Sequence, residues 1–230
     1  MTRSLLKQEA KKQLSQNLGT LILSGLLLGI ITSLPNTLSQ FSSLVSYLAG
    51  INLPTANQSW ADVLAKMLTS PILITYLSIS LLVSIAVLLF APVLTLGVHH
   101  IYLKATTDEK PHFSEMFSKM SQFGTAFVSS LLMGIFVILW SMLLIIPGIM
   151  AAYSYSMTYF ILVEHPELSA MEAIRESKRI MKGHRFELFV LQLSFFWWYL
   201  LVFVTCGLAA IYVIPYVEMA KTNFYNKIKE

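Results

Sequence analysis

The ionisable side chains inside the apolar stretches are the first candidates for chemistry in this sequence. Two carboxylates, Glu187 and Glu218, lie in stretches that are otherwise apolar, and an ionisable residue at membrane depth is by default a functional candidate. Each lies within about one helical turn of the end of its stretch, and each has a base nearby, Arg185 or Lys221. This placement favours ion pairs at a membrane interface over a proton relay.

The adjacent histidines His99 and His100 are the next candidates. Neighbouring residues on a helix point about 100° apart, so the two rings do not share a metal ion as histidines at i and i+4 would. We therefore expect both histidines at the surface. The single cysteine, Cys206, excludes an intrachain disulfide and a cysteine-based metal site.

Recognisable catalytic motifs are absent from the sequence. It contains no HExxH, GxSxG or GxGxxG motif and no P-loop. We therefore expect no catalytic residues, no metal and no cofactor, and we predict that the chain is not an enzyme.

The composition places most of the chain in a lipid environment. Of 230 residues, 56% are hydrophobic and only 12% are charged, whereas a soluble domain carries about 25% charged residues. The mean hydropathy is +0.67. Long apolar runs with so little charge predict an all-α polytopic membrane protein, a bundle of about six transmembrane helices.

The apolar runs and their polar boundaries divide this single membrane domain into segments. We predict a cytoplasmic basic helix (1–17), a first span (18–34), an external loop with interfacial helices (35–70), a second span (71–98), a cytoplasmic loop (99–122), a third span (123–146), a fourth span (149–163), a cytoplasmic amphipathic helix (164–185), a fifth span (186–205), a sixth span (208–220) and a cytoplasmic tail (221–230). The chain turns at Pro147-Gly148 between the third and fourth spans, and at Cys206-Gly207 between the fifth and sixth.

The external loop has two apolar stripes at helical spacing, joined by a turn over residues 50–54. The motif Ser59-x-x-Asp62 opens the second stripe as a capping box with Asp in place of Glu. Two interpretations remain open: a pair of interfacial helices on the outer leaflet, or a lid or partner-binding surface.

The distribution of basic residues predicts the orientation. With six spans, 15 of the 16 Lys and Arg residues lie on the side that the two termini share, and only Lys66 lies opposite. The positive-inside rule makes the shared side cytoplasmic. Because the basic residues are spread over every inner segment rather than clustered on one domain, we exclude nucleic acid as a partner.

The charged segment from Ser169 to Lys182 predicts an amphipathic helix. Ser169-x-x-Glu172 is a capping box and Gly183 is suited to end the helix. Its small and apolar residues fall on one face, and the opposite face carries the cations Arg175, Lys178, Arg179 and Lys182. The basic face either meets anionic headgroups at the inner leaflet or docks a protein partner, which includes a second copy of the chain.

The fourth span is the most polar of the apolar runs, and it suggests an alternative function. A small transporter or channel would have a polar path lined by Tyr153, Tyr155, Tyr159, Gln192 and Glu218. Hydroxyls and amides in spans also bond neighbouring helices simply as packing contacts, and we expect this role for Gln192. Both interpretations are compatible with the sequence.

Several motifs carry a family resemblance, concentrated in residues 124–216. They are Leu144-Ile145-Ile146-Pro147-Gly148-Ile149, Tyr153-Ser154-Tyr155-Ser156-Met157, Leu168-Ser169-Ala170-Met171-Glu172-Ala173-Ile174-Arg175-Glu176-Ser177-Lys178, Met181-Lys182-Gly183-His184, Glu187-Leu188-Phe189 and Ile214-Pro215-Tyr216. Together they resemble the DUF975 family, bacterial integral membrane proteins with no assigned activity. The resemblance implies a location in the cytoplasmic membrane and supplies no catalytic residues.

Overall fold

The computed structural model describes residues 2–50, 59–107 and 109–229, and these ranges form an all-α protein as predicted. The twelve α-helices found in them are α1 (Arg3–Gln16), α2 (Leu18–Gln40), α3 (Ser42–Leu48), α4 (Trp60–Thr69), α5 (Pro71–Lys104), α6 (Phe123–Leu143), α7 (Ile145–Tyr155), α8 (Thr158–Glu164), α9 (Ala170–Ile180), α10 (Arg185–Leu193), α11 (Phe196–Val204) and α12 (Ala210–Ile228). Two 3₁₀ helices, Phe113–Phe117 and Met120–Gln122, lie between α5 and α6.

Five helical stretches in the described ranges are long and apolar enough to cross a membrane. They are Leu18–Leu48, Pro71–Lys104, Phe113–Leu143, Ile145–Glu164 and Arg185–Val204. Many of their large apolar side chains are exposed, as expected where lipid is the solvent. The sixth predicted span, 208–220, overlaps the first half of α12, which is not one of the five because its second half is polar. The five helices indicate a membrane-embedded protein.

The chain forms two compact units, and the smaller one is Gly29–Ala91. It contains α3 and α4, so the two predicted helices of the 35–70 loop are present. In the predicted capping box, the backbone N–H of Asp62 donates to Ser59 Oγ (3.2 Å) and that of Ser59 donates to Asp62 Oδ2 (3.0 Å). The Tyr76 hydroxyl donates to the carbonyl of Leu38. Of the predicted 50–54 turn, residues 51–54 lie outside the described residues.

The first two spans extend beyond their predicted ends. α2 continues through Pro35 to Gln40 instead of stopping at residue 34, and α5 continues through Pro92 to Lys104 instead of residue 98. A proline removes one backbone donor, but apolar spans tolerate it when other groups satisfy the freed carbonyl. Pro35 and Pro92 therefore lie inside continuous helices.

The larger unit comprises Met1–Leu28 and Pro92–Glu230, and its α6–α7 hairpin turns at Leu144. The predicted turn at Pro147-Gly148 was wrong by three residues: Leu144 has an extended backbone (φ −160°, ψ 145°), and Pro147 lies in the first turn of α7, where its missing N–H is harmless. Gly148 has a packing role instead, because a Cβ there would lie 2.0 Å from Ser141 Oγ.

The fourth and fifth spans are each broken in the middle, which the sequence did not predict. α7 ends at Tyr155 and α8 begins at Thr158, while α10 ends at Leu193 and α11 begins at Phe196. The turn at Cys206-Gly207 is confirmed, since both residues have positive φ (50° and 93°). No proline or glycine marks either break.

The core of the larger unit includes a tight pair formed by α1 and α12. Leu6, Ala10 and Leu14 of α1 are fully buried, as the predicted amphipathic pattern requires. Asn223 Nδ2 donates to Gln13 Oε1 (2.8 Å). The N-terminal and C-terminal helices therefore lie side by side.

Candidate functional site

The segment that was predicted as an amphipathic helix contains the helix α9, Ala170–Ile180. The backbone N–H of Ser169 donates to Glu172 Oε2 (2.8 Å), and that of Glu172 donates to Ser169 Oγ (3.4 Å), which completes the capping box. Hydrogen bonds from the hydroxyl and backbone of Ser169 lower the pKa of Glu172, so the carboxylate form holds this helix start. Gly183 follows in the left-handed conformation (φ 92°).

The face of α9 that carries its small and apolar residues, called the small face below, packs on the broken fourth span. Ala173 and Ser177 are fully buried. The Ser177 hydroxyl donates to the carbonyl of Ser154 (2.8 Å) and accepts from the backbone N–H of Met157 (3.2 Å). Because the break between α7 and α8 leaves backbone groups without helical partners, this one hydroxyl satisfies a group on each side of the break.

The four cations predicted for the opposite face are all exposed: Arg175, Lys178, Arg179 and Lys182. Arg179 is bound on its own helix, because its Nε donates to Glu176 Oε2 at 2.8 Å. This pair raises the pKa of Arg179 and lowers that of Glu176. The face therefore has one cation that is already paired within its own helix and other cations that remain available to a ligand.

A groove of about 770 Å³ runs beside this face. Arg175 and Arg179 line it from α9, and Glu164 and Lys229 line it from the ends of α8 and α12. The Tyr225 hydroxyl donates to Glu164 Oε2 (2.7 Å), and Lys229 pairs with the same carboxylate. The groove thus carries both signs of charge on walls fixed by contacts between distant parts of the chain.

The residues of the predicted polar path are only partly brought together. The Tyr153 hydroxyl donates to Gln192 Oε1 (2.8 Å), so the expectation that Gln192 bonds a neighbouring helix is confirmed. Tyr155 packs against Phe136, with ring centroids 6.1 Å apart. Of the five path residues, Tyr155 alone lines one of the three described cavities.

The two carboxylates of the apolar stretches form ion pairs, as expected. Glu218 pairs with Lys221 at 3.6 Å. Glu187 pairs with Lys227 of α12 and with His184 (3.2 Å), so the predicted partner Arg185 was wrong. The partner on α12 comes from 40 positions away and has no local signal in the sequence.

The expected surface position is wrong for His99. This side chain is buried, its Nδ1 lies 2.8 Å from the carbonyl oxygen of Thr95, and its ring contacts Phe160 with centroids 4.5 Å apart. His100 is half-buried, and its Nε2 lies 3.8 Å from Glu115 Oε2. Within the described ranges, no group of three or more His, Cys, Asp or Glu side chains is arranged to hold a metal ion.

Sequence reasoning identified the charged face of α9 but missed the contacts that position it. The sequence placed Ser177 on the small face but indicated no hydrogen-bond partner for it. It did not identify Tyr225 or Glu164 as residues that make such contacts. Their partners lie 20 to 61 positions away. The only available signal was a serine among the small residues of an otherwise apolar helix face.

The comparisons with known proteins bear on this same segment. The family described as protein of unknown function (DUF975) matches residues 141–230. Comparison with curated proteins and with solved structures gives no match. The matched range contains α7 to α12 entire, and with them the Ser177 contact and the cationic face of α9. The predicted resemblance is confirmed over residues 141–230, which match the family described as protein of unknown function (DUF975).

Proposed function

We propose that this is a non-enzymatic protein of the bacterial cytoplasmic membrane that binds anionic lipid headgroups at the inner leaflet through α9. The main support for the proposal is the way in which α9 is fixed to the rest of the protein. Its small face is fixed to the broken fourth span by Ser177, while Arg175, Lys178, Arg179 and Lys182 are all exposed. Basic residues held close to a membrane surface are attracted to anionic headgroups.

The proposed topology has six spans with both termini in the cytoplasm. The packing of α1 on α12 supports it, because an odd number of spans would separate the two termini across the membrane. Lys7 and Gln13 of α1 contact Tyr216 and Asn223 of α12 (3.3 and 2.8 Å). The sixth span is then 208–220, which includes the apolar first half of α12, with the polar second half of that helix at the cytoplasmic face.

A protein partner is the second candidate, and the groove beside α9 favours it. Its walls combine Arg175 and Lys229 with Glu172 and Glu164, and mixed charge suits a protein surface better than a uniformly anionic one. The partner is either a cytoplasmic protein or a second copy of the chain.

The transporter or channel alternative has less support. Tyr153 and Gln192 satisfy each other, and Glu218 is paired with Lys221. The first pair is a packing contact between α7 and α10 and the second is an ion pair within α12, so no continuous polar path is needed to explain them.

The experiment compares two purified variants in which four cations are replaced by glutamine. One is R175Q/K178Q/R179Q/K182Q on α9; its matched control is R3Q/K11Q/K12Q/K110Q, which removes the same charge from other exposed positions. Titration with phosphatidylglycerol and with phosphatidylcholine measures the affinity for each lipid. We expect the α9 variant to lose about tenfold or more in affinity for phosphatidylglycerol.

The control variant should retain most of the wild-type preference for phosphatidylglycerol. Equal affinity of all three proteins for the anionic lipid would contradict the proposal. If the α9 variant keeps its lipid preference but loses a crosslinked protein, the second candidate replaces the first.

A further inference from the structure

A second cavity lies on the other side of α9, and we infer that it is a discrete binding site for one anionic phospholipid. Its volume is about 360 Å³, within the usual range of ligand sites. Its lining includes the cations Lys178 and Arg185 and the apolar side chains of Trp140, Pro147 and Met150. One small cavity thus brings two cations and an apolar wall together.

The two cations of this cavity have no acidic partner in the described part of the chain. The neighbouring carboxylates are already engaged: Glu176 by Arg179, and Glu187 by Lys227 and His184. In addition, Arg185 Nε is buried without a hydrogen-bond acceptor. A buried donor without a partner is costly, and a phosphate oxygen is the acceptor that an arginine fork suits.

The apolar wall indicates that the ligand is a lipid rather than a free anion. Trp140 and Met150 belong to two of the helices that are apolar enough to cross a membrane, and they are 46% and 47% exposed. Ala151 and Ser154 close the cavity from α7. A phosphate held by Lys178 and Arg185 would leave the acyl chain of the same molecule against Trp140 and Met150, where burying apolar surface is favourable.

This site rests on the proposed function and narrows it. The proposed headgroup attraction involves the whole cationic face and is diffuse, whereas this cavity holds a single molecule. It also brings in Arg185, which belongs to α10 rather than to the cationic face of α9.

The test separates the cavity from the rest of the basic surface. Native mass spectrometry of the full chain with added phosphatidylglycerol counts the lipids that remain bound. The cavity variant is K178Q/R185Q, and the matched control is R175Q/K182Q, which removes the same charge outside the cavity. We expect one retained phosphatidylglycerol in the wild type and in the control, and at least a tenfold loss of that species in the cavity variant.

Each other outcome overturns the inference. If both pairs of substitutions weaken retention equally, the attraction is diffuse, so the discrete site is wrong while the proposed function stands. If no protein retains phosphatidylglycerol better than phosphatidylcholine, both are wrong. Retention in the presence of excess inorganic phosphate distinguishes a lipid from a free-phosphate site, and displacement of the lipid by phosphate alone would also overturn the inference.

A measurement on the unmodified chain avoids any effect of the substitutions on folding. Phosphatidylglycerol with a photoreactive acyl chain is bound to the wild type, irradiated and mapped by peptide mass spectrometry. We expect labelling concentrated on peptides that contain Trp140 and Met150. Labelling spread equally over other exposed apolar positions, such as Leu82 and Phe203, would contradict a discrete site.

Discussion

The hydroxyl of Ser177 accepts a hydrogen bond from the backbone N–H of Met157 at 3.2 Å. The same hydroxyl donates to the carbonyl of Ser154 at 2.8 Å. Since Ser154 lies in the last turn of α7 and Met157 immediately precedes α8, one side chain both stabilises the break and fixes α9 beside it. Together with the buried Ala173 and Ile174, Ser177 therefore helps to orient the cationic face.

Replacing this serine should destabilise the protein. Ser177→Ala leaves the buried N–H of Met157 without a partner, at a cost of about 1–3 kcal/mol. Ser156→Ala is the matched control, because that hydroxyl makes only a local bond to the Tyr153 carbonyl (2.8 Å), and we expect a change within about 0.5 kcal/mol. Unfolding in mixed detergent micelles measures both, and equal effects would contradict the bridging role.

Gly97 should not tolerate a side chain. A Cβ at this position would lie 1.8 Å from the carbonyl oxygen of Met116, so Gly97→Ala must displace the 3₁₀ helix Phe113–Phe117, and we expect a loss of about 1–3 kcal/mol.

The control for this substitution is Gly134→Ala, in the middle of α6. A Cβ there would meet nothing within 4 Å. Alanine is favoured over glycine within a helix by up to about 1 kcal/mol, so this variant should be as stable as the wild type or more so. A stable Gly97→Ala variant would show that the two segments do not pack as described.

The start of α9 should weaken in acid. Ser169 lowers the pKa of Glu172 below its ordinary value of 4.5. The stability that the carboxylate contributes is therefore complete above the ordinary pKa, and it is lost as the pH falls through the lowered value.

The difference in Tm between the wild type and Glu172→Gln isolates this effect. We expect the wild type to be more stable at pH 7, and the difference to shrink at about pH 3. Glu9→Gln is the control, since that exposed carboxyl caps no helix. A difference for Glu172→Gln that stays constant with pH would mean that the carboxylate does not act in its charged form.

The proposed topology places Cys206, which is exposed, outside the cell. A membrane-impermeant maleimide should therefore label it in intact cells. In a C206S/T107C variant, the new cysteine lies at the cytoplasmic end of α5 and should react only after permeabilisation. Labelling of Cys206 only after permeabilisation would contradict a chain that crosses the membrane six times.

The sequence correctly predicted the structural features that depend only on residues close together in the chain. Both capping boxes, Ser59 with Asp62 and Ser169 with Glu172, form as expected because each needs only residues three positions apart. The turn at Cys206-Gly207 also forms, because a glycine readily adopts positive φ.

What the sequence did not predict depends on contacts between distant segments. His99 is buried because α8 supplies Phe160 against its ring, and Glu187 pairs with Lys227 because α12 runs beside α10. The break after Tyr155 is stabilised by Ser177 of another helix rather than by a local proline or glycine. None of these partners is specified by local spacing.

The most direct test of lipid binding through α9 is the lipid composition of the protein in native membrane discs. The wild type and R175Q/K178Q/R179Q/K182Q are extracted with their surrounding membrane, and the lipids are quantified by mass spectrometry. We expect anionic phospholipids to be enriched over the bulk membrane around the wild type, and this enrichment to disappear for the variant. Lipid compositions equal to the bulk membrane for both proteins would contradict the proposed function.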